Sequence, residues 1–290
     1  MIFCGIILLG KLSYKDGINM TDIKIIDLHT HTDSSQDGNH PVDLMAQTAA
    51  DNGIQTVAFT DHCEVDVLYS SGFDKRAERS YREVSRAKKE FEGKIEILRG
   101  IELAQPHYEP ELAEKIINTN QYDVIIGSLH NLRGRPDFYD FETFDGLDVE
   151  ALMNEYFDEL LNMLQWGNFD ILAHITYPFR YVFNHCGYVE DINKYSKKVD
   201  EILRLCAEKD KALEINMGGL KYPINLPSPN IDTIKRYKEL GGKLVSVGSD
   251  SHYAERIGFG IPRAYEIARE AGFDFVVKFN ERKISEHPIK

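Results

Sequence analysis

Seven short runs rich in β-branched and apolar residues recur along the chain: Ile23 to Leu28, Thr56 to Thr60, Ile95 to Gly100, Asp123 to Gly127, Phe169 to Ala173, Ala212 to Ile215 and Lys243 to Val247. Runs of this kind predict buried strands. Between them, apolar positions recur with the helical period over Pro41 to Asn52, Lys75 to Phe91, Leu147 to Trp166, Tyr195 to Lys209 and Asn230 to Leu240. Pro41 stands near the start of the first helix, while Gly53 and Gly241 fall just past helix ends, where a left-handed residue closes the last turn. Continuously apolar strands separated by helices must be parallel and covered on both faces, which leaves a doubly wound α/β sheet or a closed barrel. The longest stretch without a regular pattern, Asn131 to Gly146, has the length of a functional lid and carries Arg133, Arg135 and Tyr139.

No Gly/Ser-rich linker or internal repeat interrupts this alternation, and 290 residues with 42% apolar content suffice for one barrel-sized domain. That domain is expected over residues 20–290, opening at Met20. Residues 1–19 are expected to be an upstream extension or a misplaced start, since the apolar run Ile6 to Leu9 lacks a basic flank and a cleavage site and is too short to span a bilayer. Four scattered cysteines without a Cys-x-x-Cys pair fit a reducing cytoplasm better than a disulfide scaffold. The net charge of -13 disfavours a nucleic-acid partner, because the long-range field repels polyanions. Any phosphate must therefore be attracted locally, and bound cations supply such local charge.

Nearly every predicted strand ends in a residue type that binds metals. His29 and His31 close the first, with Asp37 in the Gly-containing loop beyond. His62 follows the second strand, Glu102 the third, His130 the fourth, His174 the fifth, and Asp250 with His252 the seventh. In parallel α/β folds the carboxyl ends of the strands converge on one face, so these nine side chains are expected to share one basin. His-x-His on an extended segment aims both rings to the same side. A lone histidine is more often a hydrogen-bonded core or surface residue, which is how His40, His107, His185 and His287 are read. Six at strand ends, joined by three carboxylates, are poorly explained by chance. The set exceeds the needs of one tetrahedral zinc and predicts two to three divalent ions sharing a carboxylate. Mixed nitrogen and oxygen ligation suits zinc, manganese or iron better than magnesium or calcium. No phosphate-binding glycine loop, dinucleotide fingerprint or His-Glu-x-x-His helix is present, and Cys63 is read as a small buried thiol. A water activated by metals is then the expected nucleophile.

In this order, His29-x-His31, Asp37, Thr60-Asp61-His62, Gly100-x-Glu102, Gly127-Ser128-x-His130, His174 and Gly248-Ser249-Asp250-x-His252 resemble the ligand motifs of the polymerase and histidinol phosphatase (PHP) superfamily. The resemblance runs from Ile25 to about Ile284. It implies a distorted seven-stranded (β/α) barrel with a trinuclear metal centre at the strand ends. His29, His31, Glu102 and Asp250 would hold one ion, Glu102 with His130 and His174 a second, and Asp37, His62 and His252 a third. The segments Asp123 to His130, Glu214 to Asn216, Pro227 to Pro229 and Tyr237 to Gly242 are similar to the histidinol phosphatase branch. That branch implies hydrolysis of L-histidinol phosphate to L-histidinol and phosphate, in histidine biosynthesis. The alternative is a PHP-type phosphoesterase acting on another small phosphate monoester or a nucleotide. The chain departs from the pattern at Thr176, where many relatives carry an acidic residue, and at Lys221, where an arginine is common; both bear on substrate more than on reaction. Arg180 falls where the family tends to place a basic residue near the phosphate. Glu102, Asp250 and Arg180 are the residues expected to carry catalysis.

Overall fold

The apolar runs become the staves of one parallel sheet. In the computed structural model, which describes residues 24–289, the strands are β1 (Ile25–Thr30), β2 (Ile54–Phe59), β3 (His62–Glu64), β4 (Glu96–Ala104), β5 (Val124–Ser128), β6 (Ile171–Leu172), β7 (Ala212–Asn216) and β8 (Val245–Gly248). They pair in parallel in the order β1-β2-β4-β5-β6-β7-β8, and β3 runs beside the second half of β4. A parallel bridge joins Thr30 to Ser251. Backbone bonds of 2.8 Å from Asp250 to His29 and from His31 to Ser251 then bring the last strand back to the first. Of the two architectures left open by the pattern, the chain adopts the nearly closed barrel. The expected extension over residues 1–19 lies outside the described residues.

Eight helices cover this barrel among the described residues: α1 (Val42–Asp51), α2 (Phe73–Glu90), α3 (Pro110–Thr119), α4 (Val149–Trp166), α5 (Tyr177–Cys186), α6 (Ser196–Glu208), α7 (Ile231–Glu239) and α8 (Ile261–Glu270). Helix α4 shows why they form. The Asp148 carboxylate accepts the Ala151 N–H at 2.9 Å as an N-cap, and Gly167, at φ 67°, ends the helix. Its inward face buries Leu152, Tyr156, Phe157, Leu160 and Leu164, each stabilising the fold by roughly 1.5–3 kcal/mol. No helix among the described residues is long and apolar enough to cross a membrane.

Helices α3, α5 and α8 lie outside the five segments read as helical, and two features of the strands also differ from the expected pattern. The second strand breaks at Thr60 and Asp61 and resumes as the three-residue β3, too short to register as an apolar run. The chain also ends in an antiparallel hairpin, β9 (Phe275–Asn280) and β10 (Lys283–Pro288). Its turn donates the Arg282 N–H to the carbonyl of Asp123 at 2.8 Å, sealing the pole where the barrel strands begin.

Candidate metal centre

All nine residues expected at the strand ends converge at the opposite pole. Glu102, at the end of β4 and fully buried, lies at their centre. Its Oε2 is 2.8 Å from His62 Nδ1, 3.3 Å from His29 Nε2 and 3.6 Å from His31 Nε2. Its Oε1 is 3.1 Å from His130 Nε2 and 3.0 Å from His174 Nε2. Asp250 Oδ1 lies 3.4 Å from His31 Nε2 and 3.9 Å from His29 Nε2. Asp37 lies 3.0 Å from His252 Nε2 and 3.6 Å from His62 Nε2. Arg180, on α5, reaches the rim, its guanidinium 4.0 Å from Asp250 Oδ2 and ringed by Tyr177, Tyr181 and Tyr222 at 5.0 to 5.3 Å.

Whether this donor set suits metal ions is decided by its hydrogen bonding. His29 Nε2, His31 Nε2, His62 Nδ1, His252 Nε2 and Glu102 Oε2 are buried and have no hydrogen-bond partner, although oxygens lie close to each nitrogen. None of these contacts has hydrogen-bond geometry. Their ligand atoms lie within 4.8 Å of one another in four overlapping groups: His29 with Glu102 and His174, His62 with Glu102 and His130, His29 with His31 and Asp250, and His31 with His62 and His252. An unsatisfied buried polar atom costs about 1–3 kcal/mol, so five in one basin would be an unusual burden unless cations occupy the spaces they face. The residues fit divalent ions.

The far sides of four imidazoles are held. Glu214 Oε1 meets His29 Nδ1 at 2.7 Å, Ser35 Oγ meets His31 Nδ1 at 3.1 Å, Glu64 Oε1 meets His130 Nδ1 at 2.9 Å, and the Asp250 carbonyl meets His252 Nδ1 at 3.1 Å. Such contacts fix tautomer and ring orientation. Asp61 clamps the loop that carries Asp37, accepting from the Thr32 N–H at 2.7 Å and from the hydroxyls of Thr32, Ser35 and Ser80 at 2.8, 2.8 and 2.6 Å. A side chain at Gly248 would overlap His29 and Glu214, so only glycine lets β8 approach β1 there. Asp250 itself sits at φ 53°, a left-handed conformation uncommon outside glycine.

Burial disfavours charge in the basin, yet on His29, His62, His130, Glu102 and Asp250 charge prevails through pairing. Against burial, Glu214 and Glu102 raise the pKa of His29 well above the ordinary value, Glu102 and Asp37 that of His62, and Glu64 and Glu102 that of His130. Burial pulls His31 well down, helped by His252 and His62. Neighbouring imidazoles, His29 foremost, hold Glu102 and Asp250 well below the carboxylate range despite burial. Without ions, protons on the histidines neutralise the carboxylates. Metal binding replaces them.

Sequence reasoning passed over Glu64 and Asp137 and took Lys221 as a departure from the family pattern. Glu64 stands two residues beyond His62, a spacing that puts both on one side of an extended segment. Lys221 Nζ donates to the Asp250 carbonyl at 2.7 Å, and burial pulls its pKa down to about 8 against the opposing charges of Asp250 and Asp27. Asp137, in the long loop after β5, is pushed up to about 6 by burial, with His130 opposing. The four histidines read as structural stay outside the basin's ligand groups; His40 accepts the Ala254 N–H at 3.0 Å and His287 meets the Lys24 carbonyl at 2.6 Å.

A profile of the PHP domain family matches residues 27–218. The chain is 28% identical over 278 residues to the histidinol-phosphatase of Lactococcus lactis subsp. lactis, spanning 91% of this chain and 98% of that one. It is 26% identical over 264 residues to a probable histidinol-phosphatase of Clostridium acetobutylicum, at 91% and 99% coverage. The barrel superposes on the crystal structure of the L. lactis histidinol phosphate phosphatase complexed with zinc, L-histidinol and phosphate. The TM-score is 0.76 at 26% identity, over 90% of this chain and 99% of that one.

Proposed function

The chain belongs to the PHP domain family, and from that membership we propose that it is a metal-dependent phosphomonoesterase that hydrolyses L-histidinol phosphate to L-histidinol and phosphate. The observation that carries the reading is Glu102, a buried carboxylate within 3.6 Å of five imidazoles, three of which, His29, His31 and His62, bring it a ring nitrogen without a hydrogen-bond partner. The relatives named above and the zinc, L-histidinol and phosphate in the lactococcal complex support it. Two to three zinc, manganese or iron ions would be held by His29, His31, Glu102 and Asp250, by Glu102 with His130 and His174, and by Asp37, His62 and His252. Once bound, such ions lower the pKa of a water and offset charge developing on the phosphoryl group.

The chain's own residues do the rest. Arg180 presents a planar fork that matches two phosphate oxygens and stays charged at any working pH. Its ring of tyrosines limits where the fork can point. Glu214, Glu64 and Ser35 keep the imidazoles oriented, and Asp61 holds the Asp37 loop over the basin. Cys63, Cys186 and Cys206 are free thiols, which supports a reducing compartment such as the cytoplasm.

The test is elemental analysis of the purified protein, then phosphate release from histidinol phosphate, phosphoserine and cyclic nucleotides. Histidinol phosphate should be turned over fastest, with more than one equivalent of metal per chain. Preference for a nucleotide would overturn the substrate. The departures at Thr176 and Lys221 favour a second reading, a different small phosphate monoester, and phosphoserine in the panel addresses it.

A further inference from the structure

The nine residues of the basin are not equally enclosed. The side chains of His29, His31, Glu102, His130, His174 and Asp250 are buried, whereas those of His62, His252 and Asp37 are 14%, 21% and 44% exposed. Asp37 stands in the loop between β1 and α1, and that loop folds back on itself. The Asp33 N–H donates to the His40 carbonyl at 2.8 Å, and a Cβ at Gly38 would lie 1.7 Å from the Thr32 carbonyl oxygen, so only glycine lets the two arms cross. Asn39 ties the returning arm to another ligand segment, its backbone N–H donating to the His252 carbonyl at 3.1 Å and its Nδ2 to the Asp37 carbonyl at 2.8 Å. The outgoing arm is held by α2. Arg79 donates from Nη2 to Asp33 Oδ1 at 2.7 Å, from Nη1 to the Asp33 carbonyl at 3.2 Å and from Nε to Glu83 at 3.0 Å, and Arg76 donates to the Ser34 carbonyl at 3.2 Å. Positions 76, 79, 80 and 83 recur at helical spacing, so one stripe of α2 carries both guanidinium groups and the Ser80 hydroxyl that meets Asp61. No α2 side chain belongs to the ligand groups of the basin.

We propose that Arg79 is a positioning residue for the ion held by Asp37, His62 and His252, and that this ion is the last to bind and the first to leave. The assignment rests on the metal-dependent reading above. An ion whose ligands are already fixed and shut from water binds without ordering the chain. Asp37 must instead be brought to its site, because its carboxylate rides on an exposed loop, and ordering a loop subtracts from affinity. Arg79 reduces that loss. Its planar fork grips Asp33 through carboxylate and carbonyl together, which fixes both the place and the turn of the backbone leading to Asp37. An ammonium there could meet one acceptor without holding the two in relation. Arg79 is itself 40% exposed, and an exposed ion pair contributes little to the stability of a whole fold. Its effect therefore falls on the loop and the ion rather than on the melting temperature.

Zinc titrated into chelator-stripped protein, in competition with a chromophoric chelator, resolves the equivalents by affinity. Asp37→Asn should remove the weakest equivalent and leave the tighter ones in place. Arg79→Gln should weaken that same equivalent about 10- to 100-fold, the range for losing a group that orients a metal ligand, while the tighter equivalents stay within about threefold of wild type. The Tm of the metal-free protein should not change, and Arg79→Lys should recover part of the lost affinity. Equal weakening of every equivalent, no weakening at all, or a lower Tm for the metal-free variant overturns the role of Arg79. An Asp37→Asn protein that loses a tight equivalent, or none, overturns the ranking of the sites. Both results leave the metal-dependent reading intact. A wild-type protein that takes up no zinc, or a single equivalent, sinks the cluster itself, and this assignment with it.

Discussion

The two poles of the barrel pair their carboxylates in opposite ways. Where the strands begin, each has a cation from the chain itself. Asp123 accepts from Lys88 at 2.7 Å and Arg99 at 3.1 Å, Asp170 from Arg282 at 3.1 Å, and Glu96 from Lys278 at 2.5 Å. Where the strands end, Glu102, Asp250 and Asp37 face imidazoles, and Arg180 is the one Arg or Lys within 4.0 Å of their carboxylate oxygens among the described residues. Burying a charge is expensive unless it is paired. The first pole is complete as synthesised and serves stability. The second leaves buried ring nitrogens and a carboxylate oxygen without hydrogen-bond partners and relies on its imidazoles for positive charge, a charge that the divalent ions proposed above would supply in their place.

Removing those ions should have the largest effect. A chelator-stripped protein should lose all turnover and melt lower, since saturation at 100 times Kd stabilises a fold by about 2.7 kcal/mol. Full activity or an unchanged Tm after stripping would break the contrast between the poles. Returning zinc or manganese at pH 7 should release protons. Carboxylate neighbours raise the pKa of His29, His62 and His130 against burial, which favours their protonated forms, and a bound metal displaces those protons. Calorimetry in two buffers of different ionisation enthalpy counts them.

Glu102→Ala and Asp250→Ala come next. Each removes a carboxylate that several imidazoles share, and turnover should fall more than about 100-fold, beyond the effect of losing a supporting contact. A variant retaining more than a few per cent of the wild-type rate would lose its place in the site. Arg180→Ala should spare metal content and cost roughly 2–4 kcal/mol of transition-state stabilisation in kcat/KM, with Arg180→Lys recovering part of it. An alanine variant within about threefold of wild type would make Arg180 a wall of the basin and nothing more.

The functional pole was the more legible of the two in the sequence, and the reason is physical. Parallel strands bring their carboxyl ends to one face, so a ligand type at each strand end needs no pairing information to be placed. The completed pole depends on the β9–β10 hairpin, whose turn takes Glu281 and Arg282 to φ 49° and 63° without glycine or asparagine. No turn signal marks it. Helix α5 escaped because Tyr177, Pro178, Phe179, Tyr181 and Val182 are all buried, leaving no clean apolar stripe. Helices α3 and α8 did carry a signal, Pro110 and Pro262 in their first turns. Glu64 was missed because β3 has three residues, too few to show alternation.

Asp123→Asn sharpens the comparison from the other side. The carboxylate is fully buried while Lys88 and Arg99 are partly exposed, so losing it should cost roughly 2–3 kcal/mol of stability, below the full scale for a buried pair. Metal content and kcat/KM should not change. The sign with pH follows from the pKa: Arg99 and Lys88 lower it against burial, so the contribution is present above the ordinary aspartate value of 3.8 and is lost as pH falls below it. Equal Tm values for variant and wild type at pH 7 would show that the pairs at this pole do not carry stability.

The smallest expected effect probes whether the functional pole is organised beyond its ligands. Glu64 accepts from His130 Nδ1 at 2.9 Å through one oxygen and from Gln105 Nε2 at 2.7 Å through the other. Gln105 is fully buried at φ 50°, a left-handed position that a glutamine keeps only because its surroundings hold it there. Glu64→Gln preserves size and removes the charge that raises the basicity of His130. Metal affinity should weaken about 10- to 100-fold, the range for losing a carboxylate behind a ligating histidine. At saturating metal the rate should return most of the way, which separates a supporting carboxylate from a ligand such as Glu102, whose loss no metal concentration repairs. Metal titration followed by kcat at saturation makes the distinction, and a variant that binds metal as wild type does would show that His130 needs no anion behind it.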